Sequence, residues 1–264
     1  MNFQDKWQKQ FEAKKSFLCV GLDTDLALIP ERFKKEKNPL LAFNRFIIEE
    51  TAPYAVAYKP NLAFYERYGE MGYEALKETC QALNKLEIPV ILDAKRGDIG
   101  NTAQYYAQAL FDVLGGDAAT LAPYMGFDSI GPFAAYGDKV SFVLGLTSNA
   151  SASDFELLAL EDKSRLYEKV IATLKVWRKK HPNLGLVIGA TQEEELARLT
   201  DEIEGIPLLV PGVGAQGGSL KAVIKYLYRS NMLFINSSRG IIYAANPALA
   251  AKELTREMQQ WAKL

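Results

Sequence analysis

The residues best suited to chemistry lie in one segment, DAKRGDIGNTA (93–103). Ile91, Asp93 and Lys95 alternate with Leu92 and Ala94. A strand has a period of two, so Asp93 and Lys95 point to the same side. Asp98 follows three residues after Lys95. A row of carboxylate, ammonium and carboxylate can hold an ammonium charged where negative charge develops in a reaction. The bland alternative is a structural ion pair at a strand end. Burying alternating charges is costly, so such a row needs a reason.

A second candidate is VPGVGAQGG (210–218), followed by SLKAVIKYLY. Small residues let backbone N–H groups and a helix N-terminus face a phosphate. Pro211, Gly212, Gln216, Ser238 and Arg239 are the candidate substrate contacts here: Gln216 offers an amide and Arg239 a bidentate guanidinium. Gly212, Gly214 and Gly217 also match G-x-G-x-x-G. A dinucleotide fingerprint, however, opens the first βα unit and needs an acidic residue at the end of the next strand. Here the next strand ends in Asn236, Ser237 and Ser238, so that reading is rejected. Asp23 and Lys59 end two earlier apolar runs, with a turn aspartate and a surface lysine as the bland alternatives. Thr147, Ser148 and Asn149 form either a hydroxyl turn or contacts to a planar base. The aromatics of AFYERYG (63–69) read as helix packing.

Eight short apolar runs must position these groups: 17–23, 55–60, 89–95, 118–123, 140–147, 184–190, 207–213 and 232–238. Amphipathic stretches such as 166–180 and 191–199 separate them. Near-continuous apolar strands between helices indicate a parallel sheet covered on its outer face. Eight such units predict a single (β/α)8 barrel domain over 1–264, with its active site at the C-terminal ends of the strands. Asp23, Lys59, Asp93, Lys95, Thr147, Ser148 and Arg239 all fall at those ends. A doubly wound open sheet fits the same alternation. Residues 24–39 are expected to form a long first βα loop, and 161–165 a solvated helix start.

Bulk properties narrow the chemistry. The 264 residues carry a net charge of −1, from 31 basic and 32 acidic side chains, so no overall field favours nucleic acid or an anionic membrane. The two cysteines form no CxxC pair and suggest neither a disulfide framework nor a zinc site. The N-terminal stretch has no apolar core of a signal peptide, no run is long enough to span a bilayer, and a cytoplasmic location is expected. His181, the one histidine, reads as a helix C-terminal residue.

Together these segments resemble the orotidine 5′-phosphate decarboxylase family, in its longer bacterial subgroup, over nearly the whole chain. LDTD (22–25), YKPN (58–61), LDAKRGDIGNTA (92–103), LTSN (146–149), VPGVGAQGG and SSRG follow in the family's order. The 92–103 segment is the specific signal; the glycine loop alone is weak. After TSN the subgroup often carries proline, where this chain has Ala150.

The resemblance implies a cofactor-free and metal-free decarboxylase of OMP. Lys95 would be the proton donor, and Asp93 would sit beside the substrate carboxylate. Asp23 and Lys59 would hold ribose hydroxyls, with Lys59 also in the charged row. Ser148 would contact the pyrimidine, and Gln216 and Arg239 the phosphate. It further implies a homodimer in which Asp98 and Thr102 serve the partner's site. One alternative is a magnesium-dependent sugar-phosphate decarboxylase or aldol synthase of the same barrel group, which carries a strand-two glutamate where this chain has Lys59. Another is a non-catalytic nucleotide-phosphate binder.

Overall fold

The computed structural model describes residues 1–190, 193–213, 218–228 and 231–264. Eight parallel strands form one sheet: β1 (Leu18–Leu22), β2 (Ala57–Pro60), β3 (Ile91–Arg96), β4 (Ala118–Leu121), β5 (Val140–Leu146), β6 (Leu184–Ile188), β7 (Leu208–Val210) and β8 (Leu233–Ser237). The ladder runs from β2 through β1 and β8 round to β3. Its two ends meet: Tyr58 bridges Val90 and Asn61 bridges Asp93, with Leu62 N–H donating to the Asp93 carbonyl at 3.2 Å. The sheet is therefore a closed barrel, as the eight-unit pattern predicts, rather than an open doubly wound sheet.

Alternation along the strands sorts side chains into two cores. Cys19, Ala57, Ile91, Ala118, Phe142, Val187, Leu209 and Phe234 fill the barrel interior. Burying a side chain such as Phe142 contributes roughly 1.5–3 kcal/mol. A larger apolar cluster lies between strands and outer helices, with Leu92 on β3 and Val143 on β5 among its members. The helix Phe3–Lys14 was not anticipated. Its Phe3 packs on Phe142 and Phe234, with ring centroids 6.2 and 5.4 Å away, and Phe3 N–H donates to the Asp138 carbonyl just before β5. Phe3 thus closes the N-terminal end of the barrel, leaving the C-terminal end as the open one.

Two segment readings need correction. Residues 24–39 are not all loop, because Glu31–Lys34 forms a short helix and Pro39 already opens the helix Pro39–Thr51. Asn38 caps that helix by accepting from Leu41 N–H at 3.2 Å. Residues 161–163 form a turn and a bend rather than the start of a helix; Arg165 is the N-cap of the helix Leu166–Arg178. The next helix is described over Glu193–Leu199. His181 follows the helix end, its N–H donating to the Trp177 carbonyl at 3.0 Å and its ring 5.2 Å from Phe127, as a packing residue. Among the described residues no helix is long and apolar enough to cross a membrane.

Candidate active site

The strands that bring Ala57 and Ile91 into the interior bring Lys59 and Asp93 to its upper rim, two residues on. Lys59 is 4% exposed, and its Nζ donates to Asp93 Oδ2 at 2.8 Å. Lys95 Nζ donates to the other oxygen, Oδ1, at 2.6 Å. Asp93 therefore sits between two ammonium groups. Its side chain is 10% exposed, against 52% for Lys95, which reaches into solvent. Burial opposes ionisation of Asp93, but Lys59 and then Lys95 outweigh it and hold the carboxyl well below the usual range. Burial likewise opposes the charge on Lys59, and Asp93 and Asp23 overcome it, raising that ammonium. Cys19 lies one layer below; burial pushes its thiol up to about 12, so it stays neutral.

The sequence expectation that Asp93 and Lys95 share a side holds, but not through a regular strand. Lys95 has φ +46°, and the β3–β4 register shifts between Leu92 and Arg96. The charged row within one chain is also different: it is Lys59–Asp93–Lys95. Asp98 accepts from Ile99 N–H at 2.8 Å, and among the described residues no ion pair joins it to Lys95. Thr102 is exposed, on the helix Gly100–Gln108.

The row borders a cavity of about 300 Å3 at the barrel mouth, which Asp23, Ser148, Pro211 and Asn236 also line. Asp23 Oδ1 and Asn236 Oδ1 are buried there without a hydrogen-bond partner among the described residues. A buried acceptor left unpaired is costly, and a ligand hydroxyl would satisfy it. The loop after β5 approaches from the other side. Thr147 is clamped by Glu156, whose carboxylate accepts the Thr147 N–H at 2.7 Å and its hydroxyl at 2.8 Å.

A second cavity, of about 410 Å3, shares Asp23, Pro211 and Asn236 with the first. Gly212, Gly218, Ser238 and Arg239 line it. Arg239 is exposed and has no acidic partner among the described residues. Ser238 Oγ donates to the Gly21 carbonyl at 3.0 Å and ties the loop after β8 to β1. That closeness requires Gly21, since a Cβ there would stand 2.7 Å from Ser238 Cβ. Gly212 has φ +91°. Gly214, Gln216 and Gly217 lie outside the described residues.

Most of the charged candidates thus converge on two adjoining cavities at one end of the barrel; Asp98 and Thr102 do not join them. Sequence reasoning missed Thr120, Asn61, Asn236 and Glu156. For the first three the signal existed. Counting two residues on from the interior positions Ala118, Lys59 and Phe234 reaches Thr120, Asn61 and Asn236 on the same face. Glu156 lies in an irregular loop, where no periodicity points to it.

Comparison with known proteins identifies the family. The family model described as "Orotidine 5'-phosphate decarboxylase / HUMPS family" matches residues 16–254. An orotidine 5′-phosphate decarboxylase of Christiangramia forsetii is 53% identical over 242 residues, covering 90% of this chain and 88% of the relative. One from Phocaeicola vulgatus is 48% identical over 247 residues, covering 92% and 90%. Among solved structures, an OMP decarboxylase of Leishmania donovani superposes with a TM-score of 0.88 at 40% identity, over 100% of both chains. With a family match over most of its length and relatives this similar, the chain belongs to the orotidine 5′-phosphate decarboxylase / HUMPS family.

Proposed function

We propose that this chain is a carboxy-lyase that converts OMP to UMP and CO2, using its own side chains without a metal or organic cofactor. The observation that carries the reading is the Lys59–Asp93–Lys95 row, held at the barrel mouth by two ion pairs of 2.8 and 2.6 Å. In the reaction the bond from the ring carbon to the carboxylate breaks, and its electron pair stays on that carbon. CO2 leaves, and a proton from Lys95 Nζ forms the new C–H bond. The electron pair has no π-system to enter, so a fixed ammonium beside it is the stabilising group available. Asp93 keeps that ammonium in place and stands beside the departing carboxylate, whose charge it opposes. Ground-state repulsion of this kind adds to the driving force only so far as the substrate is held there by other contacts.

Those contacts are assigned to the remaining groups. Asp23 and Lys59 take ribose hydroxyls, a role the unpaired Asp23 Oδ1 suits. Ser148 takes the pyrimidine. Arg239, with Pro211, Gly212 and Ser238 beside it in the 410 Å3 cavity, takes the phosphate; Gln216 is assigned to the phosphate by the family resemblance. Asp98 and Thr102 act across a homodimer interface in the partner's site; Thr102 is exposed and Asp98 half-buried on a single chain, and neither lines the chain's own two cavities. Residues 1–264 work as one domain. The reading places the enzyme in pyrimidine nucleotide synthesis, in a cytoplasm where its two buried free cysteines stay reduced.

The test is OMP consumption followed by absorbance in EDTA, with wild type and Lys95→Ala side by side. Turnover by wild type and its collapse in the variant are expected. An inactive wild type would refute the reading, and activity that EDTA abolishes would point to the magnesium-dependent relatives. A substrate lacking the phosphate should lose most of kcat/KM; an unchanged value would remove the role given to Gln216 and Arg239.

A further inference from the structure

Strands β3 and β4 part company at the active-site end. Ile91 pairs with Ala118 and Leu92 with Ala119, and pairing then resumes at Arg96 with Leu121. Lys95 lies inside the gap in a left-handed backbone conformation, φ +46°, which side chains other than glycine and asparagine seldom adopt. Its N–H donates instead to the Thr120 hydroxyl, at 3.0 Å. The same hydroxyl is 3.0 Å from Asp93 Oδ1. An ionised carboxylate only accepts and a hydroxyl has one hydrogen, so the direction is settled: Lys95 N–H to Thr120 oxygen, Thr120 O–H to Asp93. Thr120 is 1% exposed, so water does not readily replace either bond.

We propose that Thr120 is a positioning residue for the decarboxylation. Its one hydroxyl holds the left-handed turn at Lys95 and the orientation of the Asp93 carboxylate together, and so aims the Lys95 ammonium at the carbon that loses CO2. This rests on the role of Lys95 proposed above. A backbone carbonyl on a regular strand would hold the Lys95 N–H but could not also donate to Asp93; a side-chain hydroxyl in the register gap does both.

Thr120→Val keeps the shape and branching and removes both bonds. Thr120→Ser keeps the hydroxyl and removes a methyl group. The experiment is steady-state turnover of OMP by wild type and both variants, with UMP inhibition constants and thermal melts on the same preparations. Losing a hydrogen bond to a charged group predicts a kcat about 10- to 100-fold lower for Thr120→Val. The UMP constant should stay within about threefold, because product binding does not need the aimed ammonium. Thr120→Ser should keep kcat within about fivefold of wild type even if its melting temperature falls, since the hydroxyl is the working group. The acid limb of the kcat profile should move to higher pH in Thr120→Val, where ionised Asp93 has one donor fewer. Turnover by Thr120→Val within about threefold of wild type, or equal losses in both variants, would overturn this inference while leaving the decarboxylase reading intact. A wild type without turnover would overturn both.

Discussion

Removing the ammonium of Lys59 tests whether the charged row is held as the geometry indicates. In Lys59→Met the apolar stem is kept and the 2.8 Å ion pair to Asp93 is lost. At that distance Coulomb's law with an effective dielectric constant of about 20 gives an attraction of roughly 6 kcal/mol. Both side chains are 10% exposed or less, so solvent screening is slight, but taking two charges out of water offsets much of that energy. Removing one partner of such a buried pair costs about 3–5 kcal/mol. Asp93 would keep Lys95 and Thr120, so the low end, about 3 kcal/mol, is expected. For a chain of this size that is a fall of about 6–12 °C in melting temperature.

The pH dependence follows from the two shifts. The folded state depresses the Asp93 pKa, so the stability from ionised Asp93 is present above its unfolded value. It is lost as pH falls through the lower folded value. The Lys59 pKa is raised, so its contribution is lost only as pH rises past its folded value, above the ordinary 10.5. The gap between wild type and Lys59→Met should therefore be flat from about pH 5 to 9 and close below about pH 4. Denaturant unfolding across this range is the assay. A gap under about 0.5 kcal/mol at pH 7, or one that varies through neutral pH, would refute the buried pair as described.

Three further outcomes are expected. Arg239→Ala should lower kcat/KM for OMP by about 10- to 100-fold, the worth of a charge-assisted contact, with an unchanged melt because the residue is exposed; steady-state kinetics and calorimetry check the pair of results. Gly218→Ala would place a Cβ 2.5 Å from Ala190 Cβ and 2.7 Å from the Gly212 carbonyl. It should cost about 1–3 kcal/mol of stability and raise KM, read from melts and kinetics. Mixing Asp98→Asn with Lys95→Ala, each nearly inactive alone, should restore roughly a quarter of wild-type activity after subunit exchange, since half the dimers then hold one intact site. No recovery after verified exchange would rule out the crossing of Asp98 to the partner.

Much of the architecture was legible because it depends on local periodicity. The alternation of Ile91, Leu92 and Asp93 along β3 is legible from the sequence alone, and the strand folds with Ile91 in the barrel interior, Leu92 in the outer core and Asp93 at the mouth. The strand-end rule then nominated Asp23, Lys59, Asp93 and Lys95 before any contact was known. The helix Phe3–Lys14 was missed although its cap is local, Asn2 accepting from Asp5 N–H at 2.8 Å. Its function, plugging the barrel, depends on Phe142 and Phe234, far along the chain.

The sequence by itself determined the kind and order of the strands and the residues at their ends, because side-chain alternation and helix periodicity act over a few neighbours. Only the tertiary structure decided how those ends are finished. It closed the barrel through Tyr58 and Asn61, and it set Lys95 in a left-handed turn with its N–H on Thr120. It also left Asp98 outside the row and brought Glu156 beneath Thr147. The last three turn on a register shift or an irregular loop, where the partner of a polar group is chosen by distance in space and no repeating pattern along the chain encodes it.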